Sequence, residues 1–330
     1  MKRVLITGGA GFIGSHLADA LVARGDRVMV LDDESTGSAS NLASLQGHRR
    51  FLYTQGSAAN RELVEGLLED VDTVFHLAAA VGVQLIASDP IRTIETNVFP
   101  TELLLASMEK LRRQGREMKL FLASTSEVYG KNPKPTWTEE DDLVFGPTTR
   151  ARWSYGASKA IDEFLTLAYA RQFGLPAVIG RFFNVVGPRQ KGSYGMVLPR
   201  FVDAALAGGP LVVHDDGRQV RCFAHVSDVV RAVLGLMETD AATGRVFNIG
   251  SDRPVSILNL AERVIAAVDP ALKIQFQSYA EAYSEDFEDV RCRVPDLGRL
   301  RSVLSHQPRY SLDETIAEFV QWRRSGRPQG

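Results

Sequence analysis

The sequence predicts an α/β protein, a doubly wound parallel sheet followed by a smaller mixed α/β domain. Short apolar runs alternate with longer helix-forming segments through the first half of the chain. The first of these runs leads at once into a glycine-rich turn and an amphipathic helix. At 330 residues the chain has the length for about two domains with real cores.

The first strand, Val4-Leu5-Ile6-Thr7, reads as a buried parallel strand, and Gly8-Gly9-Ala10-Gly11-Phe12-Ile13-Gly14 opens a helix that runs to Arg24. This is the order a Rossmann-type dinucleotide site requires. Gly8 permits the tight turn, Gly11 lets the backbone approach a pyrophosphate, and Gly14 lets the helix pack on the strand, with the helix N-terminus at Phe12 and Ile13 facing the phosphates. The second strand, Arg27 to Leu31, ends in Asp32-Asp33-Glu34, and Asp32 stands where an adenosine ribose hydroxyl would sit. No Lys or Arg occurs from Asp32 through Gly47 to hold a 2′-phosphate, which favours NAD over NADP.

A third strand from Arg50 to Thr54, a helix from Arg61 to Leu68 and a fourth strand from Thr73 to Phe75 follow. The last leads into His76-Leu77-Ala78-Ala79, where Ala78 is small enough for the backbone to lie against a cofactor, and His76 reads as a packed strand-end residue. A long helix containing Thr93 to Asn97 extends to about Arg113, and the strand Leu120 to Ala123 ends in Ser124-Thr125-Ser126-Glu127-Val128-Tyr129-Gly130. Hydroxyls and a carboxylate beyond the carboxyl end of a parallel strand are well placed for chemistry.

Tyr155 and Lys159 stand four residues apart in a helix-forming run, so both lie on one face. A free tyrosine titrates near ~10. A fixed ammonium one turn away, and an oxidised nicotinamide ring nearby, would stabilise the phenolate. Such a tyrosinate can take the proton from a sugar hydroxyl while hydride leaves the same carbon. The strand Ala177 to Phe183 and the segment Asn184 to Arg189 come next, and the change of domain is placed there, giving 1–185 for the cofactor domain and 186–330 for a substrate domain with some segments returning to the first. The remainder mixes strands at Leu211-Val212-Val213 and Val246 to Gly250 with helices at about Pro199 to Ala207, Val226 to Met237, Ile257 to Val268 and Leu312 to Arg323. The tail from Ser325 is expected to fray.

The totals exclude several classes. With 45% hydrophobic and 24% charged residues the composition is that of an ordinary soluble globular protein. A net charge of -2 leaves no basic excess for nucleic acid. Cys222 and Cys292 lack the spacing of a zinc site or disulfide framework, and no metal site is expected. The start Met1-Lys2-Arg3 runs straight into the first strand without a signal-peptide core, and the longest apolar stretch, around His76 to Ala87, falls short of a membrane span. The expectation is a cytoplasmic protein with no membrane partner.

With the glycine turn, Asp32, Ser124-Thr125-Ser126-Glu127, Tyr155 with Lys159, Arg181-Phe182-Phe183-Asn184 and Arg221 in view, the chain resembles extended short-chain dehydrogenases/reductases of the nucleotide-sugar epimerase, dehydratase and decarboxylase group, from Val4 to about Trp322. The resemblance implies a bound NAD recycled within each turnover, Thr125, Tyr155 and Lys159 as the catalytic core, and Asn184 and Arg221 near a substrate diphosphate. It also implies a homodimer that pairs through two helices from each copy. Gln55-Gly56-Ser57 departs from the pattern, since the family usually has an aspartate after the glycine to contact adenine.

Three features bear on the branch of the group. Glu127, two residues after Thr125, resembles the Ser-Glu pair, Ser126-Glu127 here, of UDP-xylose synthases and related decarboxylases. Arg152-Trp153 and Gln219-Val220-Arg221-Cys222-Phe223 look like UDP-apiose synthase and the decarboxylase of the lipid A aminoarabinose pathway. Arg291-Cys292-Arg293-Val294-Pro295 resembles the segment that brings an arginine to the active site in those decarboxylases, Arg293 being the match. The alternatives are a loop-capping Glu127, a surface Arg152, and an Arg293 paired with Asp286, Glu288 or Asp289. The reading favoured is UDP-glucuronate decarboxylation through a 4-keto sugar. Gly187-Pro188-Arg189-Gln190 and Tyr194 to Arg200 read equally as an epimerase substrate loop, with Arg189 among the substrate-binding candidates, so UDP-sugar 4-epimerisation stands as the alternative, followed by 4,6-dehydration. A regulator that senses NAD without chemistry is a remote alternative, since Thr125, Tyr155 and Lys159 are all present.

Overall fold

Successive residues of a strand face opposite sides of their sheet, and the first strand already sorts itself this way. Val4 and Ile6 pack into one core cluster while Leu5 packs into another, and Val28 and Val30 part from Met29 and Leu31 in the same manner. Such a strand is apolar on both sides because helices cover both faces. A computed structural model describes residues 1–80, 89–192, 196–282 and 290–326. The end of the apolar stretch beyond Ala80, the start of the segment at Tyr194, the acids Asp286, Glu288 and Asp289, and the tail after Gly326 lie outside the described residues.

The strands of the large sheet are β1 (Arg3–Thr7), β2 (Arg27–Asp32), β3 (Phe51–Gln55), β4 (Thr73–His76), β5 (Lys119–Thr125), β6 (Ala177–Phe182) and β11 (Arg245–Ile249). All pair in parallel, in the order β11-β6-β5-β4-β1-β2-β3. The doubly wound α/β class predicted from the sequence is the observed one. From β1 the chain winds outward to β2 and β3, and from β4 it winds the other way. The switch between β1 and β4 opens a crevice beyond their carboxyl ends.

Helix α1 (Phe12–Arg24) and helix α6 (Val226–Glu238) cover one face of this sheet, while α2 (Arg61–Leu68), α3 (Pro90–Arg113) and α4 (Ser154–Phe173) lie on the other. A third cluster joins α5 (Val197–Leu206), α7 (Ile257–Val268) and α8 (Leu312–Arg324) around Phe201, Leu260 and Phe319. Short strands complete this part: β7 (Val185–Val186), β8 (Leu211–His214), β9 (Val220–Cys222), β10 (Ala224–His225), β12 (Pro254–Ser256), β13 (Ile274–Gln277) and β14 (Cys292–Arg293). They form small sheets, of which β12-β9-β14 stands over the crevice. No helix among the described residues is long and apolar enough to cross a membrane.

Trp137 locks one corner of the molecule. It is fully buried, its ring lies 5.1 Å from that of Tyr129 and 6.3 Å from that of Phe183, and its backbone pairs with the chain next to β14. Its N–H donates to the Val294 carbonyl at 2.9 Å and its own carbonyl accepts from Asp296 at 2.8 Å.

Candidate active site

The crevice has a volume of about 480 Å³ and runs from the ends of β1, β2 and β4 to the β9–β14 edge. At one end, Gly8, Gly11, Phe12, Ile13 and Gly14 form the turn into α1. Gly8 has φ +73°, and a Cβ there would lie 2.6 Å from the Ala78 nitrogen. Gly14 lies against the Gly8 carbonyl with no room for a side chain. No side chain caps the start of α1, so the backbone there is left to a ligand. Asp32 ends β2 with its carboxylate accepting from the Ala10 N–H at 2.9 Å and the Glu34 N–H at 2.8 Å. Burial pushes its carboxyl up, and these two donors oppose the shift. Each oxygen keeps a free acceptor position for a ribose hydroxyl. Backbone packed too tightly for side chains, next to a fixed carboxylate, fits NAD. Gly56 and Ser57 line the same end.

The other end holds the reactive side chains. Thr125 closes β5, and its hydroxyl accepts from the Glu127 N–H at 3.2 Å, starting the tight turn Ser126–Tyr129. Thr125 and Tyr155 both line this end of the crevice, where the Thr125 hydroxyl favours the ionised phenol. Tyr155 is buried at the start of α4, and burial, reinforced by the charges of Glu127 and Asp162, drives its phenol upward despite Thr125. This differs from the tyrosinate that the Tyr-Lys spacing alone suggests. The reason is geometric, because Lys159 does not line the crevice. Its ammonium lies behind Tyr155, donating to the Asp162 carboxylate at 2.7 Å.

Glu127 sits between two guanidiniums. Arg152 reaches one of its oxygens at 2.7 Å and Arg293 the other at 2.6 Å. Burial favours the neutral acid, but the two cations outweigh it and hold the carboxyl down to about 2. Arg293 is delivered by β14, where it stands opposite Arg221 of β9. Ser126, Arg152, Asn184 and Arg221 line the crevice with it. Asn184 adopts φ +31° and donates to the Cys222 carbonyl at 3.0 Å.

The structure does not bring Arg189 to the crevice wall. Its guanidinium is tied to Asp19 of α1 at 2.6 Å, which joins the two halves of the chain instead. His76 is a packed residue as predicted, bonded between Thr7 and Thr101. Polar lining residues to which the sequence reading gave no role include Arg200 of α5, His214 and Tyr279. Arg200 ends the segment read as a substrate loop, while His214 and Tyr279 carry no local pattern and meet only through the fold, ring centroids 5.8 Å apart.

The glycine cradle at a sheet switch point defines the class, a dinucleotide-binding α/β protein with room for a second ligand beside the cofactor. Comparison with known proteins narrows it. A family model described as "NAD dependent epimerase/dehydratase family" matches residues 4–250. The chain is 40% identical over 98% of its length, and 98% of the relative's, to UDP-N-acetyl-alpha-D-glucosaminuronate decarboxylase of Bacillus cytotoxicus. It is 34% identical to UDP-glucuronic acid decarboxylase 1 of Arabidopsis thaliana, covering 96% of this chain and 69% of that one. Among solved structures, UDP-glucose 4-epimerase of Thermotoga maritima with UDP-glucose matches with a TM-score of 0.87 and 30% identity, covering 98% of this chain and 99% of that one. The chain belongs to the NAD-dependent epimerase/dehydratase family, and NAD is the cofactor of that family.

Proposed function

We propose that the protein decarboxylates a UDP-hexuronate, UDP-glucuronate or its 2-acetamido counterpart, through a 4-keto sugar. The observation that carries this reading is the Arg152–Glu127–Arg293 clamp beside Thr125 and Tyr155. Two guanidiniums holding one carboxylate are a ready receptor for another, and a uronate carries one at C5. The relatives named as decarboxylases support the same reaction, one of them on the N-acetylated sugar.

The glycine turn and Asp32 would hold NAD, which would supply hydride acceptance and return at sugar C4. Once Tyr155 has lost its own proton, an ionisation that the positive charge of an oxidised nicotinamide would favour, its phenolate takes the C4 hydroxyl proton, and the Thr125 hydroxyl beside it fixes the oxygen that becomes the ketone. The C5 carboxylate is then that of a β-keto acid. When the C5–C6 bond breaks, its electrons pass to the C4 oxygen as an enolate and C6 leaves as CO2. Arg152 and Arg293 orient the departing carboxylate. Glu127 is ionised while both arginines hold it, so it begins as an anchor. Transfer of a guanidinium to the substrate removes a counter-charge and raises the Glu127 carboxyl, so that it can take up a proton from solvent and pass it to C5 of the enolate. Asn184, Arg200 and Arg221 are assigned to the diphosphate side.

The test is product analysis by proton NMR after incubation with NAD and each uronate. Loss of C6 with a UDP-pentose or 4-ketopentose product establishes the reading, and the faster of the two sugars names the substrate. Formation of UDP-galacturonate makes the protein a 4-epimerase, the reading that the likeness to the Thermotoga enzyme favours.

A homodimer in the cytoplasm completes the proposal. Ile91, Ile94 and Phe99 of α3 and Ile161 and Phe164 of α4 are exposed, and the two helices pack side by side, presenting one apolar face to a second copy. Both cysteines are free, as suits a reducing compartment.

A further inference from the structure

Behind Tyr155, α4 buries an ion pair that the reaction above does not use. Lys159 and Asp162 stand three residues apart on α4, and their side chains are 2% and 0% exposed. The other charges packed around this pair are committed elsewhere. Glu163, the next residue, is matched to Arg181 of β6 at 2.7 Å, and Glu127 to Arg152 and Arg293. From β4, His76 faces the ammonium, but burial keeps the ring neutral with its pKa down to about 3. From α3, the Thr101 hydroxyl donates to the Asn97 carbonyl at 2.9 Å and lies 3.1 Å from the His76 Nε2, and the second Asp162 oxygen is buried without a hydrogen-bond partner among the described residues. Asp162 is thus the counter-charge of Lys159, and Tyr155, one helical turn before that lysine on α4, is the neutral group on which the charge of Asp162 acts.

We propose that Asp162 is a positioning residue: it holds the Lys159 ammonium behind the crevice and sets the pH at which Tyr155 gives up its proton. An unpaired ammonium one turn from a phenol stabilises the phenolate in full. An ammonium already bonded to a carboxylate acts as half of a dipole, and its effect on the phenol is largely cancelled. Tyr155 therefore ionises at higher pH than it would beside Lys159 alone. The proposal rests on Tyr155 as the proton acceptor of the preceding reading, yet it is read out on the NAD-loaded protein without substrate, so its failure and the failure of the decarboxylase assignment are separate results.

The experiment is a pH titration of tyrosinate absorbance, taken as the difference between each NAD-loaded protein and the same protein with Tyr155→Phe. Asp162→Asn keeps the shape and a hydrogen-bond acceptor for Lys159 while removing the charge. The expected result is a midpoint lower by about one pH unit or more, returned toward the original value by Asp162→Glu. A midpoint that stays in place or rises overturns the proposal, even where turnover falls, because a purely structural role would cost activity without moving the titration. Should Asp162→Asn fail to fold, the double variant Lys159→Met, Asp162→Asn removes both charges at once, a change that buried pairs tolerate. Its midpoint is expected within a few tenths of a pH unit of the original, and a rise of a full unit would show that Lys159 acts on Tyr155 despite its partner and sink the idea.

Discussion

Arg293 and Glu127 meet at 2.6 Å although one is carried by a two-residue strand of a small sheet and the other by the turn that ends β5. Their contact brings the two halves of the chain together at the reacting end of the crevice. Arg293→Ala leaves Glu127 with Arg152 alone. Decarboxylation kcat/KM is expected to fall about 30-fold or more, the size found on unpairing half of a buried charge pair, while NAD affinity stays unchanged. Steady-state kinetics beside a cofactor titration checks both halves of this expectation.

Tyr155→Phe removes one oxygen at the start of α4 and nothing else. Turnover should drop by about 10²- to 10⁴-fold, the range for losing a general base, with NAD still bound. Turnover at the original rate would remove Tyr155 from the mechanism.

Gly14→Ala places a methyl group against the Gly8 carbonyl, which is backbone and cannot step aside. The turn must open, and NAD binding should weaken by at least about tenfold, with a lower melting temperature, for a strain of 1–3 kcal/mol. Fluorescence titration with NAD and a thermal melt are the measurements.

Glu127 ties stability to pH. Its carboxyl is held down to about 2 in the folded protein against 4.5 as its ordinary value. A group whose folded value is depressed contributes stability above the ordinary value and loses it as pH falls toward the folded one. Denaturant melts should show the advantage of the protein over its Glu127→Gln variant constant above about pH 5 and shrinking steadily below pH 4.5. An advantage that grows with acidity would contradict the clamp.

Phe164→Glu puts a charge on the exposed apolar face of α4. Sedimentation should show the proposed dimer replaced by monomer at micromolar concentration, since a charge buried without a partner costs several kcal/mol.

Most of the large sheet was legible because its strands are continuous apolar runs and its turns are punctuated by glycine. The helix read at about Arg61 to Leu68 spans Arg61–Leu68, and β5 differs by starting one residue earlier, at Lys119, and by running through Ser124 to Thr125. The small sheets were not legible, because strands such as Val185–Val186 or Cys292–Arg293 are too short to show a period and exist only through their partners. At the site, residues fixed by local spacing were readable: Gly8, Asp32, Thr125, Tyr155. The partner of Lys159 was not readable for the opposite reason, since Asp162 lies in plain view three positions on but the pairing depends on both side chains being buried. Arg189 looked like a substrate ligand within its own segment and is spoken for by Asp19, far away in sequence.

The pairing of Trp137 with the strand next to Arg293 bears on redesign. Anyone wishing to convert an epimerase into a decarboxylase by transplanting the arginine-bearing segment would have to move the tryptophan and its aromatic neighbours Tyr129 and Phe183 as well. The segment is a graft that takes only with its bed.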